Sequence, residues 1–235
     1  MIDRLPILAL LAIASLPAGA AAPAVKRNFS VPSFDRIRID GPYQVALHTG
    51  VSPYARASGG TRALDGLSVR VEGRTLVVRA GSGSWGGFPG EDRGAVTIEV
   101  GTPSLANAWI NGAGALLVDK VRGQTFDLAI QGPGMARIDS IDIDTMKVGI
   151  TGAGTARLAG RVGKLTATVR GSSNFDADGL TTRDAVIGAE GPSIVRTAVT
   201  GTAKVDALGL AAVTLAGQPS CTINAKGSAS VSGCK

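Results

Sequence analysis

Trp109-Ile110-Asn111-Gly112-Ala113-Gly114 decides the fold, because the stretch returns. It reappears as Ile130-Gln131-Gly132-Pro133-Gly134 and Ile150-Thr151-Gly152-Ala153-Gly154, then with small changes as Val169-Arg170-Gly171-Ser172-Ser173 and Ala189-Glu190-Gly191-Pro192-Ser193. Ala207-Leu208-Gly209-Leu210-Ala211 and Ala225-Lys226-Gly227-Ser228-Ala229 are weaker copies. The anchoring glycines at 112, 132, 152, 171, 191, 209 and 227 are separated by 20, 20, 19, 20, 18 and 18 residues. A fixed period near 20 is the signature of a stacked solenoid.

Within the repeat, with the recurrent Ile as position one, alternate residues are apolar or small. Position three is always Gly, and position five reads Gly, Gly, Gly, Ser, Ser, Ala, Ala. Position seven is Leu116, Ala136, Ala156, Phe175, Val195, Val213 and Val231, and position nine includes Val118, Ile138, Leu158 and Leu215. The alternation also runs backwards through Leu128 and Phe126, or Val148 and Met146. A period of two is that of strand, with the odd positions facing inward. The expected fold class is all-β, a single-domain β-solenoid whose coils hold two or three short strands and stack at about 4.8 Å. Small inward residues suit a narrow tube, with Phe126 and Phe175 as filler. An aromatic content of 4% fits a thin core.

Residues 1–22 read as a secretory signal peptide. The apolar run Leu5 to Leu16 is too short to span a bilayer comfortably, and Ala18-Gly19-Ala20 and Ala20-Ala21-Ala22 offer small-x-small cleavage sites. The mature chain, 23–235, is expected to be exported to the periplasm or cell surface. It is expected to lack a transmembrane helix, and with no cysteine near the cleavage region a lipid-anchored form is not expected. Residues 30–108 form an irregular N-terminal part and 109–235 the regular coils. Ile39-Asp40-Gly41 through Leu47 matches the repeat template and reads as an early rung, 71 residues before Gly112. Between them, Leu67–Val71 and Thr75–Arg79 alternate around Glu72-Gly73-Arg74 as a hairpin, and residues 95–100 read as a further strand. Residues 80–94 form a long Gly-rich loop whose Trp85 and Phe88 are candidate ligand contacts.

The ordered set Phe34-Asp35-Arg36-Ile37-Arg38-Ile39-Asp40-Gly41, Gly73-Arg74-Thr75-Leu76, the recurring Gly-Ala-Gly coils and Leu215-Ala216-Gly217-Gln218-Pro219 resembles the putative auto-transporter adhesin, head GIN domain family. The resemblance covers roughly residues 30–233. It implies a β-helix-like solenoid at the cell envelope and supplies no catalytic or binding residues. An auto-transporter also carries a membrane β-barrel, and no barrel pattern follows the coils before Lys235.

The chemistry of enzymes is thinly represented. Gly112-Ala113-Gly114 sits in strand alternation, without the helix that a dinucleotide fingerprint requires. His48 is the single histidine and has no zinc-type spacing around it. Asp139, Asp142 and Asp144 read as a solvated corner. No cofactor or metal is implied. Asp119, Asp139 and Asp178 share position ten, so a glycan-modifying enzyme, a polysaccharide lyase or hydrolase built on paired carboxylates, is the alternative to a non-catalytic adhesin or binding module. The net charge of +6 favours anionic envelope glycans or lipid head groups as partners, and the lack of aromatics beside the basic residues argues against nucleic acid. Position eight carries Arg137, Arg157, Asp176 and Arg196, a candidate anion-binding stripe in which Asp176 sits between two arginines. Unpaired strand edges at the solenoid ends favour self-association or a capping segment. Cys221 and Cys234, the only cysteines of a chain with an export signal, are expected to form a disulfide that clasps the last coil, two free thiols being the competing reading.

Overall fold

The computed structural model describes residues 25–81 and 96–235. They form an all-β solenoid of about six turns. Each regular coil contributes three strand segments that pair in parallel with the coils on either side. The first wall carries position one in a single column: Ile39, Ile110, Ile130, Ile150, Val169, Ala189, Ala207 and Ala225. The second wall carries position seven, from Val45 through Leu116, Ala136, Ala156, Phe175, Val195 and Val213 to Val231. A short third wall contributes Val121, Ile141 and Val162 to the interior. Ile110, Ile150, Phe126 and Phe175 are all 0% exposed, so the thin core and its two aromatic fillers are as the alternation requires.

One detail of the repeat is corrected. Position three is not an inward strand position but a corner. Gly112, Gly132, Gly152 and Gly171 have φ of +95°, +96°, +110° and +83°, which L side chains adopt at a cost. The alternation is interrupted there and resumes at position five, which is buried. Because the corner repeats, the glycines stack: a Cβ on Gly152 would lie 3.2 Å from the Gly132 Cα. Position five is small for a different reason. A Cβ on Gly154 would stand 2.8 Å from Cγ2 of Ile130 and 3.0 Å from Cγ2 of Ile150.

The interval before Gly112 is explained by the order in which coils are laid down. Arg36–Asp40 and Gln44–Thr49 form a rung stacked directly on Asn107–Asn111 and Ala115–Val118. The intervening chain turns back and builds a further rung outside it, Thr75–Ala80 on the first wall and Thr97–Thr102 on the second. The expected hairpin is present, with Leu67–Glu72 antiparallel to Thr75–Ala80 around Gly73. Val25–Phe29 and Tyr54–Gly59 add antiparallel strands, and the short helix Thr61–Asp65 buries Leu64. At the opposite end, Ser220–Gly227 and Ser230–Ser232 form the last coil, whose residues are mostly exposed. Cys221 and Cys234 are disulfide-bonded there, with Cα atoms 5.8 Å apart. Among the described residues, no helix is long and apolar enough to cross a membrane.

Candidate binding face on the first wall

Strand alternation that sends Ala108 and Ile110 inward sends Asn107, Trp109 and Asn111 outward. Trp109 is therefore the outer residue of the repeat's opening strand. Register places it between Arg38 on one side and Ala129 on the other, with Val77 beyond Arg38 and Gly149 beyond Ala129. The neighbouring outer column holds Asp40, Asn111, Gln131 and Thr151. Around the half-buried indole these residues leave an open cleft of 470 Å³, lined by Trp109, Arg38, Asn111, Gln131, Thr75 and Glu72.

The charges in this cleft are compensated. Arg38 Nε donates to Asp40 Oδ2 at 2.9 Å, and Asn111 Nδ2 donates to Asp40 Oδ1 at 2.6 Å, so one carboxylate orients both neighbours. Glu72 accepts from Arg70 Nε at 2.8 Å and lies 3.7 Å from Arg79. The indole N–H of Trp109 and the amide of Gln131 have no hydrogen-bond partner among the described residues. The cleft thus presents an aromatic face, unused donors and acceptors, and no carboxylate standing free of a basic or amide partner.

The stripe at position eight lies on the second wall, where register runs Arg137, Arg157, Asp176, Arg196. Arg137 Nε donates to Asp139 at 2.7 Å and Arg157 Nε to Asp176 at 3.0 Å, while Arg196 has no ion pair among the described residues. A second cleft, of 660 Å³, lies toward the open end and is lined in part by Lys164, Arg183, Asp184 and Lys204. The Asp184 carboxyl is held below the usual carboxylate range by hydrogen bonds from the Thr202 hydroxyl and from Arg183.

His48 faces two carboxylates, with Nδ1 3.5 Å from Asp119 and Nε2 3.9 Å from Glu99. Glu99 also accepts from the Tyr54 hydroxyl at 3.1 Å; partial burial, then that hydrogen bond, raises the Tyr54 pKa. The histidine and both acids stand well exposed, which screens their interaction. Asp119 accepts from the Thr49 and Lys120 backbone N–H groups, Asp139 binds Arg137, and Asp178 falls in a bulge between the Arg157–Asp176 and Ala159–Gly179 pairs. Among the described residues, no group of three His, Cys, Asp or Glu side chains is placed to hold a metal. Trp85 and Phe88 lie outside the described residues.

A family model for the putative auto-transporter adhesin, head GIN domain, matches residues 33–219, most of the described chain. The chain belongs to that family. Solved structures share its fold. A putative adhesin from Bacteroides fragilis superposes with a TM-score of 0.77 at 16% identity, covering 90% of this chain and 97% of its own. A putative lipid binding protein from Parabacteroides distasonis gives 0.66 at 18% identity, covering 88% and 95%. A putative adhesin from Parabacteroides merdae gives 0.64 at 12%, also covering 88% and 95%. No curated protein matches the sequence. At these identities the solved structures establish the solenoid and nothing about its ligand.

The Trp109 cleft was absent from the sequence-based sites. Its signal is the residue just before position one, which reads Trp109, Ala129, Gly149, Thr168, Gly188, Asp206 and Asn224 down the coils. One aromatic heads a column of small and polar residues. The alignment shows that much, but Arg38, Thr75 and Glu72 reach the cleft only because the early rung and its hairpin stack beside it.

Proposed function

We propose that this head GIN family member is an exported, non-catalytic binding module of the cell envelope, an adhesin-like protein acting in the periplasm or at the cell surface. The observation that carries the reading is the Trp109 cleft. It offers a recognition surface of aromatic and polar groups, and the carboxylates at and beside it, Glu72 and Asp40, are held by Arg70, Arg38 and Asn111 rather than poised as acid and base. Export is supported by the signal-peptide pattern of residues 1–22 and by a disulfide suited to an oxidising compartment. Anionic envelope glycans or lipid head groups are secondary partners, taken up where Arg196, Lys164 and Lys204 have no ion pair among the described residues. The test is co-sedimentation of the purified protein with envelope fractions, read together with reducing-end release. Retention without release is the expected result. Release of reducing ends, or no retention, overturns the reading.

A further inference from the structure

We infer that the Trp109 cleft is a carbohydrate subsite for a neutral glycan that stacks one pyranose ring on the indole and runs along the solenoid axis. The inference rests on the binding-module reading and names the ligand class of that site.

The chemistry of the lining selects the class. A pyranose has an apolar C–H face and an equatorial rim of hydroxyls. The first needs an aromatic surface, and the second needs paired donors and acceptors. Trp109 supplies the surface, and its N–H has no partner among the described residues. Gln131 presents an amide oxygen and an NH₂ group, Asn111, one coil step away, its amide oxygen and the N–H not given to Asp40, and Thr75 adds a hydroxyl. A cleft of 470 Å³ falls within the range of small-ligand sites. The pairing of the charges disfavours an anion. Arg38 is matched by Asp40, and Glu72 is shared by Arg70 and Arg79, so each guanidinium at the cleft already has a carboxylate partner. Val77 and the Trp109 indole are the apolar part of this lining and the other residues are polar or charged, which disfavours an acyl chain.

The direction of the chain follows from the register. Beyond Trp109 the next two residues in the same outer row are Ala129 and Gly149. A Cβ placed on Gly149 would meet nothing within 4 Å, and its φ is not in the left-handed region, so neither packing nor backbone requires glycine there. Glycine inside a strand weakens it, which makes an unforced one informative. It keeps the floor low beside the cleft. Successive rows are about 4.8 Å apart, close to the length of one pyranose unit, so a chain leaving Trp109 along the axis crosses roughly one coil per sugar.

The experiment titrates the purified protein calorimetrically with neutral β-linked hexose dimers and hexamers. Alginate and phosphatidylglycerol vesicles form the comparison arms. The expected result is hexamer binding that falls at least about tenfold in Trp109→Ala, as for a central aromatic anchor. Gly149→Val should fold with an unchanged or raised melting temperature, keep dimer binding and weaken the hexamer several-fold. Equal hexamer binding by wild type and Trp109→Ala overturns the subsite. Equal hexamer binding by Gly149→Val overturns the axial path. Binding only to alginate or only to vesicles overturns the neutral-glycan assignment while leaving the envelope-module reading standing. Retention on envelope fractions with no response to any glycan arm does the same. Loss of envelope retention altogether fells both.

Discussion

The early and late coils solve the same packing problem with opposite residues. In the first three regular coils position one is Ile (Ile110, Ile130, Ile150) and position five is Gly (Gly114, Gly134, Gly154). In the later ones position one shrinks to Val169, Ala189 and Ala207, and position five grows to Ser173, Ser193 and Ala211. The sum is what the interior constrains. Where two Ile Cγ2 groups reach across, nothing beyond hydrogen fits at position five. Where they are trimmed, a hydroxymethyl is admitted, and the Ser173 hydroxyl lies within donating reach of the Arg170 and Gly152 carbonyls, at 3.0 and 3.2 Å. Ser193 is buried in the same way but its Oγ has no hydrogen-bond partner among the described residues. The two ends differ as well. The early end is covered by antiparallel strands and a helix, and the late end is an exposed coil held by a disulfide.

The largest expected effect comes from breaking the early solution outright. Ile150→Asp places a carboxylate where exposure is 0% and no basic partner waits. It should cost several kcal/mol and abolish the cooperative melt. A melting curve like that of wild type would show that the column does not face inward. Next comes the late end. Cys234→Ser opens a loop whose ends are 13 residues apart. In the chain-entropy picture that bond is worth roughly 3 kcal/mol. Because only the last coil is clasped, hydrogen exchange should accelerate first in Ser220–Ser232, while Asn107–Val118 stays protected. Uniform acceleration along the chain would mean that the clasp acts globally. The smallest effects sharpen the exchange of sizes. Gly154→Ser should cost about 1–3 kcal/mol, by overpacking against Ile130 and Ile150. Ser193→Ala should be neutral or slightly stabilising, because it removes a buried hydroxyl that makes no bond. Equal penalties, read by urea denaturation, would show that the early and late coils do not differ in this way.

Much of this architecture is legible in the chain. The period near 20, the inward columns, the rung at Ile39–Leu47 and the hairpin at Gly73 follow from local alternation and spacing, because a repeat must place equivalent residues one above another, and the pairing of the two cysteines follows from their being the only two in a chain with an export signal. Period-two counting failed at position three. It registers small residues as inward, but it carries no backbone dihedral, and Gly152 at φ +110° turns the chain instead.

What the sequence determined by itself is therefore the solenoid and its register, since both are one-dimensional properties that a repeat displays directly. The tertiary structure decided where the surface becomes a site. Glu72 and Thr75 belong to a hairpin, Arg38 to an early rung, Trp109 and Asn111 to the first regular coil, and Gln131 to the next. They meet because the chain folds back to lay the Thr75–Ala80 rung outside Arg36–Asp40 before the coils begin. Contacts between segments laid down out of order leave no periodic trace, so they arise only once the coils are stacked.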